Sequence, residues 1–479
     1  MRTYLFTSDP QCVEKAKIFL KTEDITLVES INDISSAERK SCKLIIDSNY
    51  LSKVAEGYES LACFSKDNIS VLIENRIFCA SDEQRILEER NSVLDYMELK
   101  IRNKALVFFD YINGRAVQNG LPEYIQIETT SYCNARCIMC RHYYAGNKEA
   151  KHLDFNSVSD ICSVLDSCYV VGLQGMGEPF LHPYFSDIIE KYISHGVKIS
   201  ATTNLSILDD KILDLIKNHF ASIHISCDGA CKETFEAIRK GLNFDTVYSN
   251  MKRLSEYCPN VYKEINVVLM RQNIAELEAF IDLAADVGIQ TVIFHNMQPS
   301  LIMKNFKDSM VNYPLVLDYF CRKAYLRGKE NDIRVLCPVP FTLEKSDWSD
   351  STQKEFERMK NAVDSRAGIS NEEFWQEEKE LYKKIPEKFE ITSSKVSCKG
   401  ICDWLLNQAY INIDGSASIC CSRSIYKTGA LNSSTDFRSI WNSELSRKLR
   451  EIFSSGYLPS CCADCVMVKT VQLQFLRIN

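Results

Sequence analysis

Six short apolar segments, each followed by a helical stretch, recur between residues 122 and 300. In chain order they read YIQIETT, YVVGLQG, VKISATTN, SIHISCDG, EINVVLM and QTVIFHN. Strands that alternate with helices pair in parallel, because each helix crosses back over the sheet before the next strand begins. The pattern therefore predicts an α/β fold, a partial (βα)6 TIM-like barrel, whose functional residues lie at the carboxyl ends of the strands.

The rest of the 479-residue chain predicts further units, since a single core of that size is uncommon. Residues 1–100 alternate strands (TYLFTS, ITLVES, CKLIIDS and ISVLIE) with helices such as Gln11–Lys21, which predicts a small α/β domain of unknown role. The charged run Asp82–Lys104 predicts a connecting helix. The predicted divisions are 1–100 for that domain, 101–300 for the barrel core, 301–395 for a helical linker and 396–479 for a cysteine-rich C-terminal domain.

The composition argues against two classes of partner. The formal net charge of -7 gives no basic surface for nucleic acid, and the chain lacks the run of about 18 apolar residues that predicts a membrane helix. The opening MRTYLFTSDPQCVEK reaches charged residues and proline too early for a signal peptide, so we expect a cytoplasmic protein. In a reducing compartment, the clusters among the 21 cysteines indicate metal binding or catalysis.

Three cysteines, Cys133, Cys137 and Cys140, follow the first barrel strand directly. Structural zinc usually takes four ligands, and His142 stands too close to the last cysteine to turn back as the fourth. Three thiolates suit a 4Fe–4S cluster instead, in which one iron is left open for another ligand. Open metal positions are typical of catalytic sites.

A CxxxCxxC motif after the first strand of a βα barrel resembles the radical S-adenosylmethionine (SAM) superfamily. In that family the open iron chelates the amino and carboxylate groups of SAM, and one electron from the reduced cluster breaks the C5′–S bond. The resulting 5′-deoxyadenosyl radical takes a hydrogen atom from the substrate. The resemblance implies SAM and a SAM-binding 4Fe–4S cluster as cofactors, Cys133, Cys137 and Cys140 as catalytic and metal-binding residues, and an electron donor such as flavodoxin or ferredoxin.

Later strand ends match other motifs of this family. QGMGEPFLHP resembles its GGEP motif, in which an acid holds the SAM amino group, and ATTNL resembles its ribose-binding T-N-G, with Leu205 in place of glycine. ISCDGACKETFEAIRKG resembles its S-x-D-G followed by an arginine, which contact the ribose and the methionine carboxylate, and VIFHN ends a strand that often contacts adenine. The implied SAM-binding residues are Met139, Gly175, Met176, Gly177, Glu178, Thr203, Asn204, Ser226, Asp228, Arg239 and His295, together with Phe294.

The C-terminal stretch CKGICDWLLNQAYINIDGSASICCS, followed by SIWNSE and PSCCADC, resembles the SPASM or twitch domain that many members append. The D-G step between YINI and SASICC predicts a hairpin. On alternating strand positions Ala417, Ile419 and Cys421 share an apolar face, so Cys420 on the other face is the expected ligand. The predicted ligands of one auxiliary 4Fe–4S cluster are Cys402, Cys420, Cys462 and Cys465, with Cys398 in reserve and Cys461 directed elsewhere. Zinc is the alternative, since four thiolates also bind it.

These features predict a radical SAM enzyme of oxidoreductase or lyase type. Residues 1–100 read as α/β, unlike the winged helix that often binds the leader in peptide-modifying relatives, so we expect a small polar substrate. A sugar-like or aminosugar-like metabolite would undergo a redox change, epimerisation or dehydration. The alternatives are radical modification of a ribosomal peptide or protein, and a non-catalytic cysteine-rich metal-binding or sensor protein. The sensor explains the cysteines, but not Glu178, Thr203, Asn204 and Asp228 at strand ends.

Overall fold

A computed structural model shows how these segments are arranged. It describes residues 3–6, 25–28, 34, 43–47, 69–73, 76–79, 81–89, 95–140, 150–162, 164–297, 308–338, 349–365, 391–397, 402–432, 435–462 and 465. The described strands form a five-stranded sheet, a ten-stranded sheet and two ribbons of two strands. No helix in this part of the chain is long and apolar enough to cross a membrane.

The five-stranded sheet belongs to the N-terminal domain. Its strands are β1 Thr3–Phe6, β2 Ile25–Val28, β3 Lys43–Asp47, β4 Ile69–Ile73 and β5 Arg76–Cys79. The four predicted strands are confirmed and pair in parallel in the order β2-β1-β3-β4, while β5 turns back antiparallel to β4. The sequence analysis missed β5. The predicted helix Gln11–Lys21 lies outside the described residues.

Two helices follow this sheet, so the prediction of a single connecting helix was wrong. They are α1 Asp82–Glu89 and α2 Tyr96–Ile112. Asp95 starts the second helix, because its side chain accepts a hydrogen bond from the Glu98 backbone N–H at 2.9 Å. The buried Lys100 ammonium donates to the His195 and Gly196 carbonyls at 3.0 and 2.6 Å. The second helix thus connects the N-terminal core to the barrel.

Six parallel strands form the barrel wall, with two short strands in the loops between them. In chain order they are β6 Tyr124–Ile127, β7 Arg136–Cys137 (loop), β8 Val170–Leu173, β9 Lys198–Thr203, β10 Phe220–Ser226, β11 Arg239–Lys240 (loop), β12 Tyr262–Leu269 and β13 Thr291–Asn296. The six wall strands pair with their neighbours in chain order, which confirms the predicted βα units.

Amphipathic helices cover the outside of this wall. They are α3 Phe155–Cys162, α4 Phe185–Ile193, α5 Asp210–His219, α6 Lys232–Ile238, α7 Phe244–Tyr257 and α8 Leu277–Asp286. In α5, Asp209 caps the first turn by accepting the Ile212 N–H at 2.8 Å, and Ile212, Leu213 and Ile216 form the buried stripe. Short 3-10 turns lie at Leu165–Ser167, Pro179–Leu181, Ile274–Glu276, Met310–Asn312, Cys421–Arg423 and Ser460–Cys462.

Four strands among the remaining elements extend the barrel sheet at its two edges, and two others pair as a separate ribbon. These elements follow β13 along the chain. They are α9 Pro314–Glu330, β14 Arg334–Leu336, α10 Asp350–Asp364, β15 Ser393–Ser397, α11 Asp403–Leu406, β16 Gln408–Ile411, β17 Ser416–Ser418, β18 Lys427–Ala430, α12 Phe437–Trp441, α13 Glu444–Ser454 and β19 Tyr457–Pro459. β14 pairs with β13, and β16 pairs in parallel with β6. The order is β14-β13-β12-β10-β9-β8-β6-β16-β17-β18, and in the described residues these two edges do not meet. The barrel is therefore partial, as predicted.

The C-terminal hairpin confirms the turn predicted from its D-G step. β16 and β17 pair antiparallel, and Gly415 has a φ of 77°, a backbone conformation that glycine adopts without strain. The linker contains the predicted helices α9 and α10 together with β14, which was not predicted. Its acidic stretch NEEFWQEEKELYKKIPEKFE lies outside the described residues.

Candidate active site

The cysteine loop is fixed by the antiparallel pairing of β7 with β11, which sets Arg239 opposite Cys137. The Ile138 N–H donates to the Ile238 carbonyl at 2.9 Å, and the Cys140 N–H donates to the Cys137 carbonyl at 2.9 Å. The loop after the first strand is thus held by the segment that follows α6. This pairing brings the predicted cluster ligands beside the predicted arginine.

The thiols of Cys133, Cys137 and Cys140 lie within electrostatic reach of one another and are poorly solvated. Burial raises the pKa of Cys133 to about 11 and that of Cys137 to about 12, and the neighbouring sulfurs act in the same direction. The charge of Arg239 lowers both pKa values without outweighing burial. Thiolates here therefore need further positive charge, which cluster iron supplies. The donor set fits the predicted 4Fe–4S cluster.

Glu178 lies in the turn after β8 and is 3% exposed. Its carboxylate accepts hydrogen bonds from Thr203 Oγ1 at 2.6 Å and from the Asn204 N–H at 2.7 Å, both at the end of β9. Burial outweighs these bonds and raises the pKa of Glu178 to about 7. A buried carboxylate of this kind gains from a nearby cation, which fits the ammonium group that the family resemblance implies.

Gly177 allows the turn after β8 to lie directly on the loop after β6. A Cβ at this position would stand 2.3 Å from the Thr130 carbonyl oxygen and 2.5 Å from that of Tyr132. The next residue, Glu178, donates its N–H to the same Tyr132 carbonyl at 2.8 Å. Only glycine fits this approach, so the motif glycine is needed to dock the two loops.

Glu128 is a buried residue at this edge that the sequence analysis missed. One carboxylate oxygen accepts the Met176 N–H at 2.8 Å, and the other accepts the Ile413 N–H of the C-terminal hairpin at 3.3 Å. A Cβ on Gly175 would stand 2.5 Å from Glu128 Cγ, so this glycine too is required by close approach. The sequence did carry a signal for Glu128: a carboxylate directly after the strand segment YIQI.

Leu205, which stands where the family has glycine, adopts the backbone conformation of a glycine. Its φ is 53°, in the left-handed region that is costly for a branched side chain. Two hydrogen bonds hold it there: its N–H donates to Thr203 Oγ1 at 2.9 Å, and its carbonyl accepts from Asn250 Nδ2 at 2.9 Å. The turn geometry of the motif is therefore kept despite the substitution.

Arg239 joins Asp228 to the cysteine loop. Its Nη2 lies 2.7 Å from Asp228 Oδ2, and its Nη1 donates to the Cys137 sulfur at 3.8 Å. Asp228 Oδ1 accepts the Val268 N–H at 2.7 Å, whereas Oδ2 is held by the ion pair with Arg239 alone among the described residues. The Nε atom of Arg239 is buried with no hydrogen-bond partner in the described part of the chain. Arg239 therefore keeps one donor for a ligand, whereas Asp228 holds Arg239.

The other predicted SAM contacts lie at different depths. Met139 packs against a small apolar cluster of Ile238, Met270 and Met297 beside the loop. Ser226 ends β10 with its side chain half-buried, and His295 lines a cavity in the barrel. Phe294 is buried against α8 on the outer side of the wall, so the structure does not bring it to the site. Neighbouring strand residues point to opposite faces, and only one of this pair can face the interior.

The cavity has a volume of about 600 Å³, and most of the side chains that line it are polar, although apolar atoms contribute the larger share of its surface. It is lined by Tyr124, Val170, Gln174, Ser200, Thr202, Ala221, Ser222, His224, Glu264, Asn266 and His295. These residues come from all six wall strands or their immediate ends. The sequence analysis named only His295 among them.

The four predicted auxiliary ligands lie together in the C-terminal domain. Cys402, Cys420, Cys462 and Cys465 pack with Cys461 around one apolar cluster formed by residues of α11, α13 and β19 and their neighbours. Burial raises the pKa of Cys402 and Cys420, and the sulfurs of Cys462 and Cys465 raise both further. Among the described residues no three His, Cys, Asp or Glu side chains converge on a single-ion site. A 4Fe–4S cluster spreads its ligands over different irons and does not need such convergence.

The prediction that Cys421 shares an apolar strand face with Ala417 and Ile419 was wrong. Ala417 packs in the barrel core and Ile419 in the C-terminal cluster, so the two do not share one apolar face. β17 ends at Ser418 and the chain turns at Cys421, which ends the alternation of the strand. Cys421 lies outside the cluster that contains Cys420. Cys398 lies outside the described residues.

The predicted I-W-N motif docks the C-terminal domain onto the segment before β6. Trp441 Nε1 donates to the Gly120 carbonyl at 3.1 Å, and the Asn442 side chain exchanges two hydrogen bonds with the Gln118 backbone. Arg450, which sequence analysis did not single out, is fully buried and stacks on the Trp441 ring at 4.5 Å. Its guanidinium donates to Leu405 O, Ala116 O, Asn442 Oδ1 and Trp441 O.

The cysteine loop follows the first strand of a partial parallel barrel, and the buried acid follows the second. Metal-ligating and charged groups at these strand ends are typical of cofactor-dependent barrel enzymes. A family model described as the radical SAM superfamily matches residues 127–284, and the SPASM model, an iron–sulfur cluster-binding domain, matches residues 402–466. The chain thus carries a radical SAM domain followed by a C-terminal SPASM domain. This confirms the predicted resemblance, with SAM and 4Fe–4S clusters as the cofactors of these domains.

The relatives are similar over part of their length. Mycofactocin maturase MftC of Mycobacterium tuberculosis is 29% identical over 175 residues, 36% of this chain and 44% of the maturase. GTP 3',8-cyclase of Chlorobaculum tepidum is 28% identical over 200 residues, 41% of this chain and 58% of the cyclase. The chain thus spans about half the length of these relatives. Streptococcus suis SuiB bound to precursor peptide SuiA has a TM-score of 0.49 at 13% identity, covering 75% of this chain and 73% of SuiB.

Proposed function

We propose that the chain is a radical SAM enzyme that cleaves SAM reductively and abstracts a hydrogen atom from a small polar substrate. One observation carries the proposal: the ends of neighbouring strands bring a cysteine loop, a buried acid and a buried arginine together. Glu178 lies within electrostatic reach of Cys133 and Arg239, and Arg239 touches Cys137. A three-thiolate cluster beside groups of both charges suits a ligand that carries both an ammonium and a carboxylate.

The proposed roles divide this edge of the barrel. Cys133, Cys137 and Cys140 hold the cluster, Glu178 receives the SAM ammonium, and Arg239 offers its open Nε–H to the carboxylate. The remaining proposed SAM contacts are Met139, Gly175, Met176, Gly177, Thr203, Asn204, Ser226, Asp228 and His295. Bound SAM supplies, on reduction, a carbon radical that can take hydrogen from an unactivated C–H bond. The chain fixes Arg239 through Asp228 and keeps the loop dry with the methionine cluster around Met139.

One auxiliary 4Fe–4S cluster is proposed on Cys402, Cys420, Cys462 and Cys465. Their shared apolar surroundings support this set, because desolvated thiols gain most from binding iron. The auxiliary cluster would accept or relay an electron, or hold the C-terminal domain against the barrel. The external electron donor, such as flavodoxin or ferredoxin, and the cytoplasmic location stay predictions.

The preferred substrate is a small polar metabolite, sugar-like or aminosugar-like, that undergoes a redox change, epimerisation or dehydration. The polar side chains that line the barrel cavity support this choice. Modification of a ribosomal peptide is the second candidate, and the similarity to a maturase favours it. That similarity extends over little more than a third of the chain, and a GTP cyclase is similar to nearly the same extent, so it does not separate the two candidates.

The test is anaerobic reconstitution followed by dithionite reduction with SAM, and chromatography of 5′-deoxyadenosine. Wild-type protein should form this product, Cys137→Ala should form none, and Glu178→Ala should form less. Cys231→Ala is the matched control, because Cys231 is exposed and belongs to neither set of predicted cluster ligands. Zinc without iron in the purified protein, or product from Cys137→Ala, would contradict the proposal. Deuterium transfer into 5′-deoxyadenosine from labelled sugars, compared with a labelled peptide encoded beside the gene, separates the two substrates.

A further inference from the structure

We propose that the barrel cavity binds a neutral or cationic ligand rich in O–H and N–H donors, and that the hydroxyl oxygens of Ser200 and Ser222, held in place by His224 and Glu264, accept its hydrogen bonds. The inference rests on the proposed function and names the substrate class of the same barrel. None of these four residues belongs to a motif of the family resemblance.

His224 stands at the centre of a hydrogen-bonded group on three neighbouring strands. Its Nδ1 contacts Glu264 Oε1, and its Nε2 lies 2.9 Å from Ser200 Oγ and 3.0 Å from Ser222 Oγ. The two hydroxyl oxygens are themselves 2.7 Å apart. Glu264 also accepts from Tyr262 OH at 2.9 Å and from Asn266 Nδ2 at 3.0 Å. The carboxylate can only accept, so Nδ1 carries a hydrogen, and the single lone pair of a neutral Nε2 is taken by one of the two serine hydroxyls.

The walls use up most of their donors on one another. Ser200 and Ser222 supply two hydroxyl hydrogens to the three close contacts among the two hydroxyls and Nε2. Each hydroxyl oxygen has two lone pairs, so both serines keep a lone pair for a ligand. Thr202 donates to Gln174, whose amide donates to Gln126. Acceptors are therefore in excess at the cavity surface. A ligand with many O–H or N–H groups satisfies them, whereas a phosphate or carboxylate offers only further acceptors.

The charges of the lining point the same way. No lysine or arginine is among the described lining residues, and Glu264 is the single carboxylate. Burial raises the pKa of Glu264, but the hydrogen bond and charge of His224 outweigh it and hold the pKa below its ordinary value. His295 is exposed, yet partial desolvation of its ring lowers its pKa and disfavours the cationic form. A cationic His224 would only balance Glu264, so the lining offers an anionic ligand no net positive charge.

The cavity lies directly below the proposed SAM contacts. His224 precedes Ser226 by two positions on β10, so both side chains are on the interior face, roughly 7 Å apart along the strand. Ser226 is the strand partner of Asn266, and His224 is the partner of Glu264. A ligand bound at His224 therefore lies next to the strand end at which SAM is proposed to bind.

The test measures binding, which needs no turnover, to the full-length reconstituted protein with SAM. The probes are myo-inositol (neutral), glucosamine (cationic) and glucose 6-phosphate (anionic), followed by saturation-transfer NMR and calorimetry. We expect the first two to bind, and glucose 6-phosphate to bind at least tenfold more weakly. His224→Gln should weaken both polyols about tenfold. Glu264→Gln should reduce the preference for glucosamine over glucose 6-phosphate by a similar factor.

The matched control is His195→Gln. This ring also contacts a carboxylate, Asp166 at 2.8 Å, but lies outside the cavity, so its variant should bind all probes as wild type does. Equal affinity for the three probes, or no binding of either polyol, would overturn the ligand class. If His224 and Glu264 only stabilised the fold, their variants would bind all three probes more weakly by the same factor. Glu264→Gln would then keep the wild-type preference for glucosamine over glucose 6-phosphate, and this result would also overturn the inference. If His224→Gln melts early, Ser222→Ala carries the test, and unchanged polyol binding in it refutes the acceptor role.

Failure of the proposed function is distinguishable from failure of this inference. Polyol binding without SAM cleavage in wild-type protein would refute the proposed function alone. SAM cleavage without polyol binding would refute the cavity assignment alone.

Discussion

Glu178→Gln should remove a pH dependence of stability from the protein without SAM. Burial raises the pKa of Glu178 from an ordinary value of 4.5 to about 7 in the folded chain. The folded state therefore binds this proton more tightly than the unfolded chain does, and the stability it contributes below pH 4.5 is lost as the pH rises through 7. At about 1.4 kcal/mol for each pH unit, the loss is roughly 3 kcal/mol.

Glutamine does not titrate, so Glu178→Gln does not lose stability as the pH rises. The substitution has a destabilising cost of its own, which does not depend on pH. The glutamine NH2 group must face either the Thr203 hydroxyl or the Asn204 N–H, which now donate to the carboxylate at 2.6 and 2.7 Å. One buried donor is left without an acceptor, a penalty of about 1–3 kcal/mol. The variant should thus be less stable than wild type at acid pH and equal to it, or more stable, above neutrality.

Urea unfolding under anaerobic conditions at several pH values between about 5 and 8 measures this difference. We expect the stability of the variant relative to wild type to change by roughly 2.5 kcal/mol over that range. Glu233→Gln, on an exposed turn of α6, is the control and should follow wild type at each pH. Parallel curves for Glu178→Gln and wild type would refute the assignment of Glu178 as a carboxylate held in unfavourable surroundings.

Three further outcomes are expected. Reconstituted wild-type protein should bind about eight irons, and the Cys133, Cys137 and Cys140 triple alanine variant about half of these; loss of all iron in that variant would contradict two independent sites. Gly177→Ala should lower the free energy of unfolding by about 1–3 kcal/mol, because its Cβ meets backbone oxygens that cannot move aside, and an unchanged melting temperature would contradict this. Arg450→Lys should cost about 2 kcal/mol by leaving buried carbonyls unpaired, measured by urea unfolding; a neutral result would show that water replaces the guanidinium.

Most wall strands could be predicted because their signal is local. Apolar runs such as YVVGLQG are bounded by helices and turns, and the parallel order follows from the alternation. β5, β7, β11 and β14 were missed because two to four residues carry no readable period. The pairing of β16 with β6 was missed for another reason. The D-G turn identifies a hairpin, but nothing local identifies the sheet edge that accepts it.

The site divides in the same way. The cysteines and Glu178 were found through contiguous motifs, whereas Glu128 and Glu264 act through partners distant in sequence. The segment SIHIS already carried a signal that was not used: polar Ser222, His224 and Ser226 alternate with buried isoleucines. Such alternation on a strand covered by helices indicates that the inner face is polar. It would have located the cavity, although not the charge of its walls.

The strand pairing at the edge of the barrel also bears on how the two cluster-bearing domains are positioned. β16 runs in register with β6 from Gln408 opposite Tyr124 to Ile411 opposite Ile127, and β6 leads straight into the cysteine loop. The next residue, Glu128, binds the SAM motif turn with one oxygen and the C-terminal hairpin with the other. A strand register and a buried carboxylate allow far less relative motion of the two domains than a flexible connection does. The proposed electron relay between two clusters would need a constant separation, which the pairing of β16 with β6 can set without the predicted linker of residues 301–395.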